Sequence, residues 1–169
     1  MTLNQLNNID NVAAQAWFCE CCAATKWYTQ MAATRPFATI EHIENYARLL
    51  WHDLTKEDYL QAFEAHPMIG DIATLKNRFV TTIKTAEEEQ SGALGADEKI
   101  LKKLSRLNHR YLEKNGFIFI ICATGLSAKQ MLQALEVRID NTREQEIAIA
   151  ADHQIQITLL RIRKNLTFK

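Results

Sequence analysis

Residues 116–125, GFIFIICATG, decide the fold class. The run is apolar on both faces, rich in Phe and Ile, and closed by a glycine at each end, which is the composition of a buried strand. A strand needs partners for its backbone N–H and C=O groups. No other run in the chain has comparable strand quality. The segment is therefore a strand, a loop or a helical core piece, or one whose free backbone groups serve a ligand. Everything around it reads as helix.

Towards the C-terminus, Ser127-Ala128-Lys129-Gln130 and Asn141-Thr142-Arg143-Glu144 read as capping boxes. They open helices to about residues 140 and 165. In the last helix Ile147, Ala151, Ile155, Thr158 and Ile162 form the inward face, flanked by Ile157, Leu160 and Arg161. Towards the N-terminus, Asp97 is expected to cap a helix whose stripe is Ile100, Leu101, Leu104, Leu107 and Tyr111, with Gly116 closing it as a C′ residue. Before it, TAEEEQSGALG predicts a turn or two of helix through Glu89 and Gln90, closed by Gly92 or Gly95. Residues 72–84 carry no clear boundary. Thr55-Lys56-Glu57-Asp58 opens a short helix to Ala65, and Thr39 caps a longer one through Leu54 with the stripe Ile40, Ile43, Ala47 and Leu50. Two earlier helices cover 12–25, with Trp17 and Phe18 inward, and 26–33. The prediction is all-α: a compact single domain over 1–169, a bundle of about seven to nine helices, with one short apolar non-helical or strand-like segment near 117–123.

The chain has 169 residues, a length that suits one sizeable core. Formal net charge is zero and Lys and Arg are spread along the sequence, so neither nucleic acid nor an anionic membrane is an expected partner. MTLNQLNNID has no positive flank and no apolar run, so no secretory leader is expected. No run approaches the ~18 apolar residues of a spanning helix, and LTFK is not a peroxisomal address. A cytoplasmic protein is the expectation. Of four cysteines, Cys19, Cys21 and Cys22 crowd into FCECC and Cys122 lies apart. No second ligand pair stands at zinc-site spacing, so the thiols read as reduced, packed groups.

Three places carry candidate chemistry. In EAHPMIGD, residues 64–71, His66 precedes Pro67, which pushes it out of the α region and stops the helix. The imidazole then lies at a helix C-terminus, where negative partial charge favours its cationic form and suits it to handle a proton near neutrality. The plain alternative is a helix-end histidine capping carbonyls. Of the other histidines, His42 and His109 read as mainly solvent-exposed. Glu87-Glu88-Glu89-Gln90 is a solvated acidic run, or a helix edge from which one or two groups turn inward. Gln90 there would offer a donor and an acceptor to an amide edge. Arg161 sits beside the apolar stripe, placed either to hold a carboxylate or to snorkel to the surface. No dinucleotide, phosphate-loop, nucleophile-elbow or zinc-protease motif is present.

Taken in order, CCAATKWYTQMAATRPF, AFEAHPMIGD, EEQSGAL, NGFIFIICATGLS and NTREQEIAIAADHQIQITLLRI resemble the segments of the 2-oxo-4-hydroxy-4-carboxy-5-ureidoimidazoline (OHCU) decarboxylases of urate degradation. The likeness covers about residues 21–166, and order and spacing carry it more than any one motif. It implies an all-α homodimer without metal or organic cofactor, acting on a small ureidoimidazoline to give (S)-allantoin. Residue by residue, it implies His66 as catalytic acid/base with Pro67 fixing it, and Glu89 orienting His66 or the substrate hydroxyl. Ala86, Glu87 and Gln90 would line the substrate, with Gln90 reading its amide. Backbone groups of Phe119, Ile120, Ile121, Cys122 and Ala123 would bind the heterocycle, and Arg161 an acidic group. Met68 stands where the family often has Arg or Asp, and Ala86 where many members have Ser. A non-catalytic ureide-binding or adaptor protein is the alternative reading.

Overall fold

A computed structural model describes residues 1–66, 68 and 93–167, with the backbone path alone for 93–97. Helices start where a side chain can accept an orphan first-turn amide. Thr2 does so for α1 (Leu3–Asn8), Asp10 for α2 (Asn11–Cys21), Thr39 for α4 (Ile40–His52) and Thr55 for α5 (Lys56–Glu64). Between them α3 (Thr25–Ala33) begins without a side-chain cap. Then come α6 (Ala93–Asn115), α7 (Ala128–Arg138), opened by Ser127, and α8 (Arg143–Asn165). Eight helices and no strand occur among the described residues, so the all-α expectation holds. None of these helices is long and apolar enough to cross a membrane.

The chain forms two compact units. The first comprises Met1–Ala65 and Ala151–Lys169. In it α2 packs on α3, and α3 on α4 and α5. Phe18 is fully buried, with Trp17, Trp27 and Phe37 edge-on to it at 4.9, 6.0 and 6.1 Å between ring centres. The buried indoles keep their polar handles satisfied: Trp27 Nε1 donates to the Ala47 carbonyl and Trp51 Nε1 to that of Ala151, both at 3.1 Å. Arg35 ties down the end of α1 by donating through Nη1 to the carbonyls of Leu6 and Ile9, at 2.7 and 2.8 Å.

The second unit, His66–Ala150, packs α6 against α7. The expected α6 stripe is buried at Leu101, Leu104, Leu107 and Tyr111. Burying a leucine fully, as at Leu104, is worth about 1.5–3 kcal/mol. Lys114 donates to the carbonyls of Ile139 and Asn141 at 2.7 and 2.8 Å, where α7 has run out of amide partners.

Several boundaries differ from expectation. The N-terminal helix α1 was not predicted, although Thr2 and Gln5 form a reciprocal capping box. α2 stops at Cys21, α4 at His52 and α7 at Arg138, short of the predicted ends. The α6 backbone already runs from Ala93, so Asp97 is not its cap and Gly95 closes nothing. A single glycine costs a helix only about 1 kcal/mol, which does not break one without a proline. At α8 the operative box is Thr142 with Gln145, one residue later than read. Asn141 is not part of it, because its amide is committed to Glu146 at 2.7 Å. On α4, Ile40 and Leu50 are half-buried, leaving Ile43 and Ala47 as the buried stripe.

Candidate functional site

Gly116 ends α6 in the left-handed region, φ 73°, and its N–H closes on the Leu112 carbonyl at 2.8 Å. A glycine tolerates that conformation without steric cost. The chain then runs through 117–123 as neither helix nor strand. Phe117, Phe119, Ile120 and Ile121 are buried, while Cys122 and Ala123 are half-buried. A turn follows, with the Leu126 N–H on the Ala123 carbonyl at 3.2 Å and Gly125 at φ 78°. Side chains rather than a ladder hold this segment in place. Phe117 and Phe119 lie edge-on to Tyr111, at 5.8 and 5.3 Å between ring centres.

Arg138, the last residue of α7, meets this segment from a buried position. Its Nη1 donates to the Ile120 carbonyl at 2.9 Å, and its guanidinium stacks over the Phe119 ring, 4.4 Å from the centre. Among the described residues, that bond is the one hydrogen bond on the backbone of 118–121. The remaining donors, Nε and Nη2, go to Glu146 Oε2 at 3.0 and 2.8 Å. Tyr111 Oη also donates to Oε2, and Asn141 Nδ2 to Oε1. Burial opposes the Glu146 charge, but the bonds from Arg138, Tyr111 and Asn141 outweigh it and hold the carboxyl below its ordinary range. Burial, then the hydrogen bond to Glu146, pushes the Tyr111 phenol up, so it stays a neutral donor.

His66 follows α5 at the bend after its C-cap, Ala65, and is half-buried. The helix ends at Glu64, two residues before His66 and one short of the expected Ala65, and the following proline in the sequence keeps His66 out of the α region. Met68 is half-buried. Arg161 belongs to the first unit, half-buried on α8, with Nη1 donating to the Cys21 carbonyl at 3.1 Å. That carbonyl is one of the orphans at the end of α2, so the helix terminus orients the guanidinium. Burial lifts Cys21 to about 12 and Cys22 to about 11, which leaves both as inert thiols. None of the four cysteines is in a disulfide, and among the described residues no three His, Cys, Asp or Glu side chains are gathered as a metal would need. His109 is exposed as expected. His42 is half-buried, its Nδ1 accepting from the Ala38 N–H at 3.3 Å.

Phe119, Ile120, Ile121, Cys122 and Ala123 therefore form one continuous segment of the second unit, which His66 begins, while Arg161 stands in the first. Pro67, Ala86, Glu87, Glu89 and Gln90 lie outside the described residues. Arg138 and Glu146 were missed by sequence reading. The signal was present in α8: Glu146, Ala150, Gln154, Thr158 and Ile162 are all fully buried at a spacing of four. Three polar members, Glu146, Gln154 and Thr158, hide that line from an apolar-periodicity search.

Three comparisons bear on this arrangement. The family model described as OHCU decarboxylase matches residues 7–163. A uric acid degradation bifunctional protein from Arabidopsis thaliana is 33% identical over 85% of this chain, which spans 44% of that protein's length. A 2-oxo-4-hydroxy-4-carboxy-5-ureidoimidazoline decarboxylase from Haloferax volcanii is 25% identical over 96% of the chain and 94% of its own length. Among solved structures, an OHCU decarboxylase crystallised in the presence of (S)-allantoin matches with a TM-score of 0.68 and 34% identity, covering 89% of this chain and 96% of that one.

Proposed function

Because the chain belongs to the OHCU decarboxylase family, we propose that it removes carbon dioxide from 2-oxo-4-hydroxy-4-carboxy-5-ureidoimidazoline to yield (S)-allantoin in urate degradation. The observation that carries the reading is the family match over nearly the whole chain. We further read it as a homodimer, the state that family resemblance implies, and as cytoplasmic, as expected from the sequence.

The reaction breaks the bond between the ring carbon and its carboxylate. The electron pair left behind enters the conjugated ring, and a proton must then arrive on one face. We assign that proton to His66. Its place just past the C-terminal end of α5 supports the role, since the helix carbonyls favour an imidazolium. We assign Glu89 to orienting His66 or the substrate hydroxyl, and Pro67 to fixing the His66 backbone. Ala86, Glu87 and Gln90 are assigned to the substrate, with Gln90 reading an amide edge. Arg161 is assigned to an acidic group of the substrate. Its anchored Nη1 leaves the rest of a planar fork for that task. A grip on the scissile carboxylate that is too tight would stabilise the ground state, so Arg161 acts in binding and orientation. Residues 119–123 are assigned to the heterocycle's polar edge. Support comes from the backbone groups of Phe119 and Ile121, which take no hydrogen bond among the described residues.

The test generates the substrate in situ from urate with the two preceding enzymes and follows circular dichroism. Faster appearance of one allantoin enantiomer is expected. An unchanged rate with racemic product would sink the proposal. In the same assay His66→Asn should lower turnover by at least ~10²-fold, the usual scale of acid–base catalysis. Full activity in that variant would remove His66 from its role.

A further inference from the structure

We infer that Arg138 is a positioning residue for this decarboxylation: it holds the Ile120 carbonyl and the Phe119 ring so that the neighbouring backbone groups of 119–123 meet the substrate ring in register. The inference rests on the assignment of that backbone to the heterocycle.

A segment without helical or ladder hydrogen bonds has no repeating restraint on its backbone. Core packing of Phe117, Phe119 and Ile121 fixes where the segment lies, but apolar contacts are non-directional and leave peptide planes free to rock. Among the described residues, a single hydrogen bond fixes a peptide plane between 118 and 121, and Arg138 donates it. The donor is well suited to this. A guanidinium is rigid and planar, so fixing two of its edges fixes the third. Glu146 takes Nε and Nη2, and the Phe119 ring faces the guanidinium at 4.4 Å. Glu146 is itself locked by Tyr111 and Asn141. Restraint thus passes from α6 through Tyr111, and from the turn before α8 through Asn141, to Glu146, then Arg138, then Ile120. A buried ion pair is a poor device for stability alone, because apolar residues of the same volume do as well. As a device for holding one carbonyl in one orientation it has no apolar substitute. Ligand-binding groups must be placed within a fraction of an ångström, which demands such support behind them.

Arg138→Lys in the full chain tests this. Lysine keeps a cation for Glu146, but its ammonium on a flexible stem lacks the rigid planar fork that puts two nitrogens on Glu146 and a third on the Ile120 carbonyl. In the coupled assay KM should rise about tenfold, the scale of one lost hydrogen bond to a charged group, with kcat changed by less than about threefold. Contacts made equally in ground and transition states appear in KM. A merely structural role would reduce the folded, active fraction and leave KM where it was. Tyr111→Phe removes only the phenol bond to Glu146 and should raise KM about two- to threefold. Lys103→Ala, which removes a surface pair with Glu136, should leave both constants unchanged. A KM within about twofold of the parent in folded Arg138→Lys overturns the inference. If that variant does not fold, an unchanged KM in Tyr111→Phe overturns it instead. A parent chain that fails to accelerate (S)-allantoin formation overturns the proposed function and this inference together, and that outcome is read before any variant is made.

Discussion

Arg138 meets Glu146 with side-chain exposures of 8% and 0%, whereas Arg163 reaches Glu44 with exposures of 64% and 10%. Both guanidiniums place two nitrogens on a carboxylate. In the second unit the pair has lost its water, so every lone pair must be answered from within, and Tyr111 and Asn141 answer for Glu146. In the first unit water answers for most of Arg163. The difference lies in what removal of one partner leaves behind. A stranded charge in the interior has nowhere to go, while a stranded arginine at the surface is simply hydrated.

The largest effect should follow Glu146→Ala. It leaves a buried Arg138 cation, a Tyr111 phenol and an Asn141 amide without their shared acceptor. Breaking a buried pair from one side costs about 3–5 kcal/mol, a large share of a typical 5–15 kcal/mol stability. Urea denaturation monitored by tryptophan fluorescence would show it as a lower midpoint. Replacing the whole cluster at once, with Arg138→Met, Glu146→Leu and Tyr111→Phe, should recover much of that loss, because no charge or hydroxyl is then stranded and only the Ile120 carbonyl and the Asn141 amide lose a partner, at a cost of about 1–3 kcal/mol. That stable variant should still bind substrate poorly, because nothing holds the Ile120 carbonyl. If it loses as much stability as Glu146→Ala, burial is not what separates the two pairs.

Acid should sharpen the contrast by a smaller amount. Hydrogen bonds from Arg163 hold Glu44 below its ordinary value of 4.5, against some burial. Glu146 is held below the same value by three partners despite heavier burial. A carboxyl whose folded pKa is depressed contributes stability above its unfolded pKa and loses it as pH falls through the folded value. Stability should therefore decline from about pH 4.5 downward. Glu146→Gln should flatten that limb more than Glu44→Gln, as read from urea midpoints between neutrality and acid. The raised Tyr111 phenol works at the other end. Its contribution is complete below the unfolded value of 10.0 and declines as pH rises above it.

Helix starts and the apolar face of α8 were legible in the sequence, and neither ion pair of this comparison was. Caps are local: Thr39, Thr55 with Asp58, and Ser127 with Gln130 each announce a helix within four residues. The inward face of α8 was also readable, with Ile147, Ala151, Ile155, Thr158 and Ile162 all buried. The stretch 117–123 stood out because its composition breaks the surrounding period, although composition could not choose between strand, loop and helix. Arg138 and Glu146 carry no such mark. A turn separates them, and each alone reads as one more charged residue on a helix. Only packing reveals that the line through Glu146 and Gln154 is fully buried. His66 and Arg161 could be nominated because a proline and an apolar stripe flag them. What flags Arg138 is the carbonyl it holds eighteen residues earlier.

The smallest effect should be that of Arg163→Ala. Glu44 would lose its hydrogen-bonded partner, yet Arg48 still lies close enough to favour its charge. Glu44 is the more enclosed member, so some cost is expected. Water can enter where the arginine lay, since most of that side chain is already exposed. Measured by the same urea midpoint, the shift should be no more than roughly a fifth of that for Glu146→Ala. Added salt should shrink the Arg163→Ala shift further, because exposed charges are screened, and should leave the Glu146→Ala shift in place. A large, salt-independent loss in Arg163→Ala would mean that Glu44 behaves as a buried charge. Degree of enclosure of the carboxylate, rather than of the pair, would then be what separates the two sites.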